Sequence, residues 1–113
     1  MTRILCALIL IILPLRVLSD VPQVVGASYV SGRLSVTISH PDTGWDHYAD
    51  AWEVLDTNGN SLGIRELAHP HVDEQPFTRS LSVTLPGDGP WDVLIRARDS
   101  VHGWSEPIPM TLP

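Results

Sequence analysis

The sequence predicts an all-β protein, a single antiparallel β-sandwich of seven short strands that follows an N-terminal segment of different character. Apolar and polar residues alternate with a period of two in several runs, most regularly over Arg33–Ser39 and Trp91–Arg98. This alternation is the pattern of a half-buried strand. Turn-forming residues separate the runs at short intervals, and no run has the 3.6-residue period of a helix. These observations favour stacked sheets over any helical architecture.

The first nineteen residues have the layout of a secretory signal peptide. A positive charge at Arg3 precedes the apolar run Ile4–Leu15, and a small residue, Ser19, stands where a signal peptidase reads the chain. The apolar run is shorter than the roughly 20 residues that a membrane span needs. We therefore predict a signal peptide at 1–19, one folded domain at 20–113, export to the periplasm or the extracellular space, and no stable membrane insertion after cleavage. The alternative is that residues 1–19 are retained as an N-terminal anchor.

Seven strands are predicted in the remaining chain, and each is bounded by turn residues. Ser31-Gly32 reads as a tight connection, and Asn58-Gly59 supplies the positive φ angles of a type I′ hairpin turn. Seven short strands in a chain of this length indicate an immunoglobulin-like topology. The predicted strands are Gln23–Val30, Arg33–Ser39, Ala49–Asp56, Ser61–Leu67, Thr78–Leu85, Trp91–Arg98 and Ile108–Leu112.

One hydrophobic core between two sheets should collect the apolar members of the alternating runs. Such residues are expected to face the same side because successive strand side chains point to opposite faces. The predicted core consists of Leu34, Val36, Ile38, Trp52, Val54, Leu81, Val83, Val93 and Ile95.

Composition limits the function classes. The chain has no lysine, and after residue 19 five arginines face thirteen acidic residues. Such a surface repels phosphate backbones, so nucleic-acid binding is not expected. The one cysteine, Cys6, belongs to the signal segment, so the folded part has no thiol, no disulfide and no sulfur ligand for a metal.

The stretch Arg79–Pro107 resembles the second half of a fibronectin type III domain. Leu85-Pro86-Gly87 matches the family's corner before an alternating strand, and Gly103-Trp104-Ser105-Glu106-Pro107 matches its turn into the last strand. Trp91 stands where the family has its corner aromatic residue, and its indole N–H can donate the corner hydrogen bond. The resemblance implies a seven-stranded sandwich and little about function, because this fold serves many roles.

Five histidines lie in predicted loops of this small acidic chain. His69 and His71 form a His-x-His pair that can address one ion from an extended backbone. Asp73 and Asp99 are weaker oxygen-ligand candidates. Nitrogen and oxygen ligands without sulfur suit zinc, copper or iron. The candidate metal ligands are therefore His40, His47, His69, His71 and His102, with Asp73 and Asp99 beside them. The alternative is that the histidines only pack the loops.

Two loop tryptophans offer a different interpretation. Trp45 and Trp104, with Asp42 and Asp46 nearby, have the composition of a sugar-stacking platform. On this hypothesis the partner is a glycan or another protein rather than a metal ion.

A second, weaker resemblance is to superoxide reductases of the desulfoferrodoxin type. His40-Pro41, His47-Tyr48, Trp52-Glu53 and His102-Gly103 follow the order of that family's motifs, and Asp99 stands where the family has cysteine. The resemblance implies a non-haem iron enzyme on an immunoglobulin-like sandwich. The residues themselves show no nucleophile or phosphate-binding motif, so the sequence favours a small exported non-catalytic binding module, with the iron enzyme as an alternative.

Overall fold

The computed structural model describes residues 21–113 and contains eight β-strands and no helix within that range. The predicted signal peptide therefore lies outside the described residues. No helix in 21–113 has the length and apolar character to span a membrane. The strands are β1 Gln23–Val30, β2 Arg33–Ser39, β3 Ala49–Leu55, β4 Ser61–Glu66, β5 Phe77–Ser82, β6 Trp91–Asp99, β7 Gly103–Trp104 and β8 Ile108–Leu112.

The strands form two antiparallel sheets. The first sheet has the order β1-β2-β5, and the second has the order β4-β3-β6, with β7 and β8 both pairing with β6. The connections β2–β3, β4–β5 and β5–β6 therefore cross from one sheet to the other. The prediction of an all-β antiparallel fold is confirmed.

One core lies between the two sheets and draws on both. From the first sheet it takes Leu34, Val36 and Ile38 of β2, and from the second it takes Trp52 of β3 and Ile95 of β6, all with no exposed surface. The predicted core residues belong to this cluster, although Leu81 is only partly buried and packs at its margin. Further buried members are Val24, Ala49, Leu67, Phe77, Leu85, Ala97 and Leu112.

The strand β5 is shifted from its predicted position. It begins at Phe77 and ends at Ser82, where its register with Arg33 reaches the end of β2. Arg33 is the first residue of β2, and beyond this pair the Val83 N–H donates to Gly32 O of the β1–β2 turn at 3.0 Å. Val83 and Leu85 remain buried, so the alternation predicted their burial correctly and the strand end wrongly.

An eighth strand, β7, was not predicted, and it corrects the placement of Trp104 in a loop. Trp104 pairs with Arg98 of β6. Just after it, the backbone N–H of Ser105 donates to Ala97 O at 2.7 Å, and the Ser105 hydroxyl accepts from the Ala97 N–H at 3.0 Å. A segment of two residues is too short to show alternation.

The type I′ turn of this fold lies at Ser31-Gly32 and not at Asn58-Gly59, where it was predicted. Ser31 and Gly32 both have positive φ, at 51° and 79°, and they link β1 to β2 as a two-residue type I′ turn. In the β3–β4 hairpin only Gly59 has positive φ. The Asp56 carboxylate there accepts hydrogen bonds from the backbone N–H groups of Asn58 and Asn60. A longer turn capped by Asp56 therefore replaces the type I′ turn predicted at Asn58-Gly59.

Trp91 forms a hydrogen bond at the β5–β6 corner. Its indole N–H donates to Pro86 O at 3.0 Å, and its ring meets the ring of Tyr29 edge-on at 4.9 Å. The Tyr29 hydroxyl in turn donates to Val83 O at 2.8 Å. These contacts fasten the β5–β6 connection to both sheets.

Candidate metal centre

Three potential metal ligands from distant parts of the sequence meet at one end of the sandwich. His40 follows the last residue of β2, His47 lies in the β2–β3 connection, and Asp99 is the last residue of β6. One ligand atom from each lies within 4.8 Å of the others. The site therefore bridges the two sheets, with His47 on the connection between them.

The cluster is largely shielded from solvent. The side chains of His40 and Asp99 have no exposed surface, and that of His47 is 19% exposed. His40 Nε2 lies 3.8 Å from Asp99 Oδ2, and His47 Nε2 lies 3.6 Å from Asp99 Oδ1. Both imidazoles therefore face one buried carboxyl group.

Asp99 is held as an anion by its own backbone turn. Its Oδ1 accepts from the backbone N–H groups of Val101 at 2.8 Å and His102 at 2.5 Å. Burial acts to raise the pKa of Asp99, but these hydrogen bonds and the His102 side chain outweigh it and hold that pKa below its usual value. Asp99 therefore places a negatively charged carboxylate at the centre of the cluster.

The Nε2 atom of His47 is buried and makes no hydrogen bond. Buried polar atoms almost always have a partner, and an unpaired one calls for an explanation such as an ion. The position of His47 is fixed by a tight turn, in which Thr43 N–H donates to His47 O at 3.0 Å and His47 N–H donates to Gly44 O at 3.2 Å. The orphaned nitrogen therefore belongs to a residue whose backbone is held in place.

Paired hydrogen bonds join the two loops that carry the ligands. The Tyr48 N–H donates to Ser100 Oγ at 3.1 Å, and the Ser100 N–H donates to Tyr48 O at 2.9 Å. This pair fixes the segment after His47 against the residue after Asp99.

His102 lies at the rim of the cluster. Its Nδ1 is 3.1 Å from Asp99 Oδ2, its ring centroid is 5.1 Å from that of His47, and its side chain is 42% exposed. His102 is therefore placed beside the three clustered ligands, on their solvent side.

His69 and His71 form a neighbouring pair in the β4–β5 connection. Their ring centroids are 4.7 Å apart. The His71 ring stacks on Phe77 at 4.0 Å, and its Nε2 accepts from the Arg79 guanidinium at 2.9 Å. His71 is thus engaged by Arg79, and Asp73, the weaker candidate beside it, is exposed. The structure does not bring these three residues into the cluster around Asp99.

The two tryptophans of the glycan hypothesis have different surroundings. Trp45 is 67% exposed and meets Tyr48 edge-on at 5.6 Å. The ring of Trp104 lies beneath two guanidinium groups, those of Arg96 at 4.3 Å and Arg98 at 5.1 Å. Trp104 is half-buried and stacked against these cations, whereas Trp45 is the more exposed of the two tryptophans.

Sequence reasoning assigned Asp42 only to the glycan hypothesis, whereas the structure buries it behind the cluster. Asp42 is 6% exposed and accepts from His40 Nδ1. The signal available in the sequence was the His-x-Asp spacing of His40 and Asp42. That spacing alone does not reveal that the loop turns both side chains inward.

Comparisons with known proteins give one relative and one structural neighbour. No protein-family model matches the chain. A protein of Halomicrobium mukohataei named "Putative lipoprotein" is 46% identical over 72 residues, which are 64% of this chain and 35% of that protein. The chain thus spans about a third of the length of that relative. A superoxide reductase (neelaredoxin) from Archaeoglobus fulgidus superposes with a TM-score of 0.47 at 14% identity, covering 84% of this chain and 89% of that chain. So low a score supports no inference about activity.

Proposed function

We propose that this chain is a small exported β-sandwich protein that binds one divalent metal ion through His40, His47 and Asp99. The observation that carries the proposal is the meeting of three ligand atoms within 4.8 Å, one of them a buried nitrogen without a hydrogen bond. A buried carboxylate is costly unless it is paired. A cation bound between Asp99 and the two imidazoles would neutralise the buried carboxylate and give His47 Nε2 a partner.

The donor set indicates the class of ion. Two imidazole nitrogens and one carboxylate oxygen, without sulfur, suit zinc, copper(II) or non-haem iron. Three protein ligands leave coordination positions for water or for His102, whose ring stands 5.1 Å from that of His47. Such a site has the composition of an open metal site rather than of a closed structural one.

Export is proposed from the sequence of residues 1–19, which has the layout of a signal peptide. The name of the Halomicrobium relative, which describes a lipoprotein, agrees with a location outside the cytoplasm. We further propose that the fold is immunoglobulin-like and related in architecture to fibronectin type III domains. Its support is the seven longer strands divided between two sheets and the corner hydrogen bond of Trp91.

The test is elemental analysis of untagged protein purified without chelators from the exported fraction, with an intact mass to show whether residues 1–19 are absent. We expect about one equivalent of a first-row metal per chain. His47→Gln and Asp99→Asn should each lose the metal while retaining the β-sheet circular dichroism spectrum. His69→Gln is the matched control, since it changes an exposed histidine outside the cluster, and it should retain the metal.

Thermal stability gives a second measurement on the same proteins. An ion that binds only the folded state stabilises it by about 2.7 kcal/mol at a hundredfold excess over Kd. The melting temperature of the wild type should therefore rise on addition of the right ion at pH 7.5, and that of Asp99→Asn should not. Absence of metal in the purified protein, together with no response to zinc, copper or iron, would contradict the proposal.

The iron-enzyme alternative is favoured by one observation. The sequence resemblance to superoxide reductases rests on His40, His47, His102 and position 99. In the structure, the three histidines gather around the carboxylate of Asp99. Bound iron would supply one-electron chemistry there, with Asp99 offering oxygen where that family has sulfur. Consumption of superoxide by the iron-loaded protein, compared with the zinc-loaded protein, separates this alternative from a non-catalytic metal-binding module.

A further inference from the structure

Asp42 is a buried carboxyl group with hydrogen bonds on both oxygens. Its Oδ1 accepts from His40 Nδ1 at 2.5 Å and from the Ala49 backbone N–H at 2.9 Å. Its Oδ2 accepts from the His71 backbone N–H at 2.8 Å. Asp42 therefore joins the end of β2, the start of β3 and the β4–β5 connection.

The partners of Asp42 determine which nitrogen of His40 carries the proton. An ionised carboxylate only accepts hydrogen bonds, so the short contact requires a proton on His40 Nδ1. In a neutral imidazole with its proton on Nδ1, the lone pair lies on Nε2, which in His40 is 3.8 Å from Asp99 Oδ2. This is the tautomer in which Nε2 can bind a metal.

The backbone around His40 is fixed by a second side chain, Gln75. The His40 N–H donates to Gln75 Oε1 at 2.9 Å, and Gln75 Nε2 donates to His71 O at 2.9 Å. Gln75 thus braces two of the three segments that Asp42 joins, the end of β2 and the β4–β5 connection, without touching a ring nitrogen. Variants of the two residues can therefore separate the effect of bracing the loop from the effect of fixing the proton on the His40 ring.

We propose that Asp42 is the positioning residue of the metal centre: it holds His40 as the Nδ1–H tautomer with Nε2 directed toward Asp99. The inference rests on the proposed function, because it assigns a role toward the ion of that site. Carboxylates that orient a metal-binding imidazole in this way typically change metal affinity 10–100-fold when they are removed.

The key variant is Asp42→Asn, which keeps the size of the side chain. Its amide can donate to His40 Nδ1 and thereby favour the Nε2–H tautomer, which blocks the ligand atom. We expect ¹⁵N-detected NMR of the metal-free protein at pH 8 to show His40 as Nδ1–H in the wild type and a gain of Nε2–H in Asp42→Asn. The affinity for zinc should fall about 10–100-fold.

Two control variants separate positioning from folding. Asp46→Asn, at an exposed site in the same connection, should change neither measurement. Gln75→Ala should lower the melting temperature while leaving the His40 tautomer as in the wild type. A purely structural role for Asp42 would make Asp42→Asn resemble Gln75→Ala.

The outcomes distinguish this inference from the proposed function. If the wild type binds no zinc, copper or iron, the proposed function fails, and this inference fails with it. If the wild type binds zinc and Asp42→Asn binds it equally tightly, only the role of Asp42 is overturned. Should Asp42→Asn not fold, the wild-type tautomer decides: Nδ1–H supports the role of Asp42, and Nε2–H on His40 rejects it.

Discussion

His71 has surroundings that oppose a second ring proton. Its ring stacks on Phe77, its Nε2 accepts from Arg79, and its Nδ1 is buried without a hydrogen bond. Burial lowers the pKa of His71, and the positive charge of Arg79 and the neighbouring His69 lower it further. The folded protein therefore keeps His71 neutral at pH values where the unfolded chain protonates it.

This difference predicts a loss of stability in weak acid. Below a pH of about 6.5 the unfolded state binds a proton at His71 that the folded state does not, so the free energy of unfolding falls as the pH falls. The fall ends once the pH is below the lowered folded pKa. Urea midpoints at pH 7.5, 6.5 and 5.5 should decline less in His71→Gln than in the wild type. An unchanged pH dependence in this variant would contradict the assignment.

At the scale of single elements, the sequence predicted strand bounds best where turn-forming residues border the run. The bounds of β1, β2 and β8 agree with the prediction, because each run is bordered by residues that interrupt the pattern. The end of β5 depends on the length of its partner β2, and β7 depends on the position of β6. Both features are determined by a neighbouring strand, so the local sequence pattern of β5 and β7 did not predict them.

The β1–β2 turn contains Ser31 at a φ of 51°, a conformation that costs most L residues about 1–2 kcal/mol. Asn tolerates it better, and Asn-Gly is the preferred pair for a type I′ turn. Ser31→Asn should therefore raise the free energy of unfolding by about 0.5 kcal/mol. Gly32→Ala should lower it by about 1 kcal/mol, since Gly32 has a φ of 79° although nothing lies within 4 Å of an added Cβ. Chemical denaturation of both variants checks the opposite signs.

For the whole molecule, stability depends on the shared core of the two sheets. Ile95 has no exposed surface and lies in the middle of β6, which pairs with both β3 and β8. Ile95→Ala should cost about 2–4 kcal/mol through lost burial and a residual cavity. Ile64→Ala is the matched control, because Ile64 is 40% exposed on the edge strand β4. Equal urea midpoints for the two variants would contradict this description of the core.

The candidate site was predictable in its residue types but not in its membership. Sequence reasoning named all five histidines as candidates and Asp99 as a weaker one, without selecting which of them form the site. The structure instead gathers His40, His47 and Asp99, because the ends of β2 and β6 meet at one end of the sandwich. That meeting depends on how the strands pair in both sheets, and the spacing of residues along the chain does not predict strand pairing.

The position of His40 and Asp99 at the ends of strands from opposite sheets has a consequence for the chain as a polymer. No cysteine occurs after Cys6, so no disulfide can join the two layers. An ion held by both residues would close a loop of roughly sixty residues, and long loops are those whose closure removes most freedom from the unfolded chain. The metal would then act as a reversible crosslink, and its release would free the two sheets to separate first at that end.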